Sequence, residues 1–373
     1  MTEPRACPSC LRRAWLVGGL SNAIERALES RPASRARELL ALEDAELSAA
    51  VAGADAESIS ERAERRDSRR LREAVRGSHC WACCRHDDAY PDPLRDLGDS
   101  PAVLFGRGDP VLLARLAGRE DAATVVGSRR ASGYGRDLAT RLGAELASAE
   151  LAIVSGMAIG IDSCAHRGAL DAGGVTVAVL GSGADIASPP RMQGLYEEIR
   201  AAGLVISELP PGTEARRWTF PARNRIMAAL GAITIVVEAR HGSGSLITAD
   251  IAEDLNRDVG AVPGLVGSSP AAGTNDLIHD GAHLIRGGRD VLDALVGPGT
   301  LGEPDGDRVP ADLDPGLAAV LDAVSTGAGT QDEIARESGL GPESVAVALT
   351  RLELRELVAS DAAGRYRARP PRV

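Results

Sequence analysis

The sequence contains no lysine: all 42 of its Lys+Arg residues are arginine. We attribute that bias to a GC-rich genome, but guanidinium is suited to phosphate forks and to stacking, so the places where arginine clusters still carry information. Aromatic residues are scarce, at 2%. No apolar run approaches the roughly 20 residues that a membrane-spanning helix needs. The opening MTEPRACPSC has no basic segment leading into an apolar one, as a signal peptide would. The expected location is therefore the cytoplasm, where the six cysteines are not expected to form structural disulfides. The formal net charge of -11 excludes coating nucleic acid by bulk attraction, though not a local basic groove. What is present, 44% hydrophobic and 25% charged residues over 373 positions, fits a globular chain of two or three domains.

Three blocks are expected. Residues 1–100 are helix-rich, and the mixed charges of 61–76 read as a solvated helix face. Residues 101–297 alternate short β-branched runs (123–126, 152–155, 176–180, 205–207, 233–237, 259–262) with amphipathic stretches such as 135–149 and 161–172. That alternation predicts an α/β, Rossmann-like parallel sheet with helices on both faces. A Gly/Pro/Asp-rich linker is expected over 298–311. Residues 312–373 have the outline of a winged helix: helices at 313–324, 331–338 and 342–354, then a wing at 357–367 with Gly364 at its tip. Acidic Glu343 and Glu353 on the third helix weigh against groove reading, and a plain packing module is the other reading.

Five motifs in the middle block carry chemistry. Strand ends run into Gly127-Ser128-Arg129-Arg130 and into Ser155-Gly156-Met157-Ala158, each followed by a helix. Such turns, with a helix N-terminus behind them, hold anions at the carboxyl edge of a sheet. Asp162 and His166, four apart on one helix face, could serve metal or acid–base chemistry; a buried hydrogen-bonded pair fixing the helix on the sheet is the preferred reading. Phe220-Pro221-Ala222-Arg223-Asn224-Arg225 follows Arg216, Arg217 and Trp218, combining charge with aromatics as single-strand binders do, although Trp218 and Phe220 could equally be core anchors. The loop of Gly242, Ser243, Gly244 and Ser245 leads into a helix with Thr248, and Val262-Pro263-Gly264 with Gly273-Thr274-Asn275 closes the same edge. The candidate DNA contacts are Gly127, Ser128, Arg129, Ser155, Gly156, Phe220, Arg223, Asn224, Arg225, Ser243, Gly244, Ser245 and Thr248. So many phosphate-sized turns suit a polynucleotide strand better than one mononucleotide.

In this order the motifs resemble the DprA/Smf family, whose marks also include Leu180-Gly181-Ser182-Gly183 with Asp185 and Ser207-Glu208. The resemblance implies an extended Rossmann fold, sequence-independent single-stranded DNA binding, homodimers, no catalysis and delivery of DNA to the RecA recombinase. Two departures stand out: Ile159 where family members often carry Lys or Arg, and Ile186-Ala187-Ser188 where Tyr-Pro usually follows Asp185. Two other functions compete. A nucleotide-binding or nucleotide-hydrolysing enzyme of the phosphoribohydrolase type would want a Pro-Gly-Gly-x-Gly-Thr loop before its glutamate, whereas here Glu238 precedes Gly242-Ser243-Gly244-Ser245. A transcription regulator would rely on the winged helix. No cofactor is required by any motif, but Cys7-Pro8-Ser9-Cys10 and Cys80-Trp81-Ala82-Cys83 form two CxxC pairs. Cys7, Cys10, Cys80 and Cys83 are the expected ligands of a structural Zn²⁺; reduced thiols or a redox pair are the alternative.

Overall fold

The structure, a computed structural model, describes residues 6–29, 35–118, 120–297, 313–355, 357–360 and 364–368. The chain divides into two units, Met1–Thr300 and Leu301–Val373. The linker expected at 298–311 lies outside the described residues.

The first unit is built on a nine-stranded sheet. Its strands are β1 (Trp81–Cys84), β2 (Val103–Gly108), β3 (Ala122–Val126), β4 (Ala152–Ser155), β5 (Thr176–Val179), β6 (Leu204–Ser207), β7 (Ile233–Val236), β8 (Asp258–Ala261) and β9 (His283–Leu284). Their order is β1-β2-β6-β5-β4-β3-β7-β8-β9, parallel from β3 onward, with β1 and β2 added antiparallel at the β6 edge. The parallel strands β3 to β8 are four or five residues long and mostly rich in Val and Ile, because helices bury both faces of the sheet. β3 pairs with β4 on one side and β7 on the other, so successive connections leave it in opposite directions. Such a switch point opens a crevice beyond the carboxyl ends of the strands.

The six strands expected from sequence are present within a residue or two of their ends. β1 and β2 are additions, and β1 carries the sheet N-terminal of residue 101. Gly106 breaks the β-branched pattern of β2 because the Trp81 indole crosses it; a Cβ there would lie 2.2 Å from the ring. β9 is two residues long and exposed, which leaves almost no hydrophobic signal.

Short helices, from Pro8–Gly19 to Ser68–Gly77, cover one end of this sheet. Leu16, Leu20, Ile24 and Leu47 form their core together with Leu209, Trp218 and Ala222 of the α/β layer. Trp218 is 1% exposed and its indole N–H donates to the Ser21 carbonyl at 3.1 Å. It is a packing anchor for the helical layer, which removes it from the base-stacking role. Residues 61–76 form parts of two helices with a break between them; Leu71 and Val75 face inward and most of the charged residues face solvent.

The second unit is a winged helix. Pro315–Ser325, Gln331–Ser338 and Pro342–Leu354 pack through Leu317, Val320, Ile334, Val345 and Leu352, and Val358–Ser360 pairs antiparallel with Tyr366–Ala368. Thr330 and Glu333 form a capping box, and Gly339 ends that helix in the left-handed conformation. Among the described residues no helix is long and apolar enough to cross a membrane.

Candidate functional site

A cleft of about 480 Å³ lies at the switch point between β3 and β7. The loops after β3, β4 and β7, the first turns of the helices that follow β4 and β7, and helix Thr219–Leu230 build it. The turn after β3 supplies Gly127, Ser128, Arg129 and Arg130; the segment after β4 supplies Ala158 from its loop and Asp162 from the start of helix Ile161–Asp171; the segment after β7 supplies Arg240 through Ser243 from its loop and Gly244, Ser245 and Thr248 from helix Gly244–Asp254; and helix Thr219–Leu230 supplies Phe220, Arg223 and Asn224. Arg129, Arg130 and Arg240 are exposed at its rim. The Arg129 guanidinium stacks over the Phe220 ring, 5.4 Å from its centroid.

Helix N-termini are natural anion sites, and the two that follow the loops after β3 and β7 behave differently. Ser132 caps helix Gly133–Ser148, and the buried Glu238 carboxylate accepts from its N–H at 3.2 Å and its hydroxyl at 2.6 Å. That carboxylate already neutralises the dipole, so this end does not attract phosphate. Helix Gly244–Asp254 has no side-chain cap and no acidic residue in its first turn. Its N-cap Ser243 instead shares a hydrogen bond with the Ser245 hydroxyl at 2.8 Å. Thr248, 1% exposed, lines the cleft, and its hydroxyl has no partner among the described residues. A buried polar atom left unpaired is costly, so the uncapped helix end and the unpaired hydroxyl together make this end the candidate anion position.

The sequence matches the family model described as DNA recombination-mediator protein A over residues 81–296, more than half of the chain, and the DprA winged helix domain over residues 304–364. The chain belongs to the DNA recombination-mediator protein A family. It is 42% identical to a putative DNA processing protein DprA of Mycobacterium tuberculosis, across 70% of this chain and 67% of that one. The structure of DprA from Streptococcus pneumoniae superposes with a TM-score of 0.61 at 32% identity, covering 77% of this chain and 98% of that chain. DprA of Helicobacter pylori, whose structure concerns its single-stranded DNA binding mode, superposes with a TM-score of 0.52 at 28% identity, covering 58% of this chain and 97% of that chain.

Ten of the thirteen candidate DNA contacts of this DprA family member line the cleft; Ser155, Gly156 and Arg225 do not. Ser155 is fully buried and its hydroxyl donates to the Val125 carbonyl at 2.6 Å, tying β4 to β3. Gly156 acts through its missing side chain: a Cβ would lie 2.3 Å from the Arg223 guanidinium. Arg225 is 1% exposed and bound by Glu208 at 2.7 Å and Asp99 at 2.9 Å. Burial alone would lower its pKa, but the Glu208 and Asp99 carboxylates outweigh that and hold the guanidinium charged. It is a core ion cluster and corrects the expectation of a DNA contact. The turn at Gly264, pinned to Asn275 at 3.1 Å, also lies outside the cleft.

Arg130 and Arg240 line the cleft without having been singled out as contacts, although both adjoin motifs legible in the sequence. Asp162 and His166 are both buried, yet they do not bond to each other. Asp162 accepts from the Ala158 N–H at 3.3 Å and faces Arg223 at 4.0 Å, while His166 bonds the Gly156 carbonyl and the Thr176 hydroxyl, each at 2.6 Å. Burial pushes the His166 pKa down from 6.5 to about 4; the Gly156 carbonyl opposes that and the Arg223 charge adds to it. The unfolded chain therefore takes up a proton here that the folded chain refuses. The stability is complete above pH 6.5 and is lost as pH falls toward the folded value of about 4. We expect a loss of about 3 kcal/mol between pH 7 and pH 4 from this residue. Urea midpoints for wild type and His166→Gln across that range test it: the variant starts lower but has the shallower slope. Parallel slopes would contradict the assignment.

The cysteines also divide. Cys7, Cys10, Cys84 and His86 converge, whereas Cys80 and Cys83 do not join them. In a strand, positions three apart point to opposite faces. Cys83 packs with Leu104 in one core and Cys80 with Phe105 in the other, so they cannot share a metal, which corrects the expected ligand set.

Proposed function

We propose that the chain holds single-stranded DNA without sequence preference in the cleft between β3 and β7, acts as a homodimer without turnover, and delivers the strand to a RecA-type recombinase. Membership of the recombination-mediator family places it in DNA recombination. The single observation that carries the cleft assignment is the uncapped N-terminus of helix Gly244–Asp254 beside the unpaired Thr248 hydroxyl. Around that point, the exposed Arg129, Arg130 and Arg240 can follow a phosphate backbone, and Phe220 with Arg129 offers a stacking surface. The single-stranded DNA binding of the Helicobacter pylori relative supports the same reading. A nucleotide-hydrolysing enzyme would need Glu238 facing the cleft, and that carboxylate instead holds Ser132.

The test is fluorescence anisotropy with labelled oligo-dT and a duplex of equal length over a salt series. The expected outcome is preference for the single strand, with affinity falling steeply as salt rises. Equal binding to both, or specific binding to a duplex sequence, would send the assignment to the winged helix.

A further inference from the structure

We propose that Cys7, Cys10, Cys84 and His86 bind one structural Zn²⁺ that fastens the N-terminal helix to the edge of the sheet. Their ligand atoms all lie within 4.8 Å of one another, and no other such cluster occurs among the described residues. The Cys7 and Cys10 sulfurs stand 3.5 and 3.4 Å from His86 Nδ1. A tetrahedral zinc with ordinary Zn–S and Zn–N bonds places S and N roughly 3.6 Å apart, so these two pairs already stand at the separation such an ion requires, with the remaining pairs within 4.8 Å.

The local structure explains why these four meet. Cys7 is the N-cap of helix Pro8–Gly19 and Cys10 lies in its first turn. Cys84 ends β1, and its sulfur accepts from the Cys7 N–H at 3.5 Å. His86 follows in the turn after β1, exposed while Cys10 and Cys84 are buried. The donors thus come from two segments more than seventy residues apart in sequence. A disulfide would use two sulfurs and leave the third and the imidazole without a reason to converge.

All four ligands come from the protein, which leaves no open position for substrate and makes the role structural. The ion would hold Leu11 and Ala14 of the helix against Val103 and Phe105 of β2. The same helix contributes Leu16 and Val17 to the core that buries Trp218, two residues before Phe220. Metal binding would therefore steady the cleft-forming helix Thr219–Leu230 at its start.

Metal analysis of the full chain, purified under reducing conditions, decides the matter. We expect about one zinc per chain, and on replacement by Co²⁺ the ligand-field and thiolate charge-transfer bands of a tetrahedral S₃N site. Cys84→Ser and His86→Ala should weaken binding and change the Co²⁺ spectrum, with the exposed His86 providing a variant that does not disturb the core. Cys80→Ser and Cys83→Ala should retain full metal content. A wild-type chain that holds no zinc and develops no Co²⁺ bands would overturn the proposal. So would metal lost from the Cys80→Ser or Cys83→Ala variant but retained in Cys84→Ser.

Discussion

Replacing Arg225 by alanine is expected to cost about 3–5 kcal/mol of stability, the range for breaking a buried ion pair from one side. The guanidinium meets Glu208 through two bonds of 2.7 Å and also reaches the carbonyls of Asp99 and Ala222. Asp99 in turn pairs with Arg37 at 3.1 Å, so one cluster joins the helical layer, the loop before β2, the end of β6 and helix Thr219–Leu230. Removing the guanidinium strands the Glu208 carboxylate, 11% exposed, and leaves Asp99, 7% exposed, with Arg37 as its remaining ion-pair partner. Denaturant midpoints measure the effect. A loss below about 1 kcal/mol would mean that the cluster is solvated and that Arg225 is free to act elsewhere.

Gly244→Asp should move stability and binding in opposite directions. A Cβ at Gly244 meets nothing within 4 Å, so the side chain is accommodated. A carboxylate in the first turn of helix Gly244–Asp254 complements its dipole, and loss of glycine restricts the unfolded chain; together these stabilise by up to about 1 kcal/mol. The same carboxylate occupies the position assigned to phosphate, and affinity for single-stranded DNA is expected to fall about tenfold or more, roughly the value of one charge-assisted contact. Thermal melting and anisotropy on the same preparation report both signs. Undiminished binding in a stabilised variant would show that the strand does not cross this helix end.

The sheet was readable because its parallel strands are short Val/Ile runs punctuated by glycine, and the cleft loops because small residues at strand ends mark phosphate-sized turns. The corrections share one cause: neighbours in sequence are not always neighbours in space. Arg223 and Arg225 flank one asparagine, but two positions along a helix turn a side chain by about 200°, so one faces the cleft and the other the Glu208 cluster. Cys80 and Cys83 look like a metal knuckle, yet a strand sends them to opposite faces. Glu238 takes the anion site at Ser132 from 106 residues away, a pairing with no local signal. Nor could Trp218 be placed from the arginines beside it, since its partner Ser21 lies 197 residues earlier.

The most direct test of the cleft compares two variants of identical net charge. One replaces Arg129, Arg130 and Arg240 at the cleft rim with alanine; the other replaces Arg65, Arg69 and Arg70, exposed on the N-terminal helical layer. Each shifts the formal net charge of -11 by the same three units, so the bulk field is matched. Anisotropy with labelled oligo-dT over a salt series should show the rim variant losing affinity, with the slope of log K against log salt shallower by about 2, while the control variant follows wild type. Equal losses in both, or none in either, would contradict a single-stranded DNA path through this cleft.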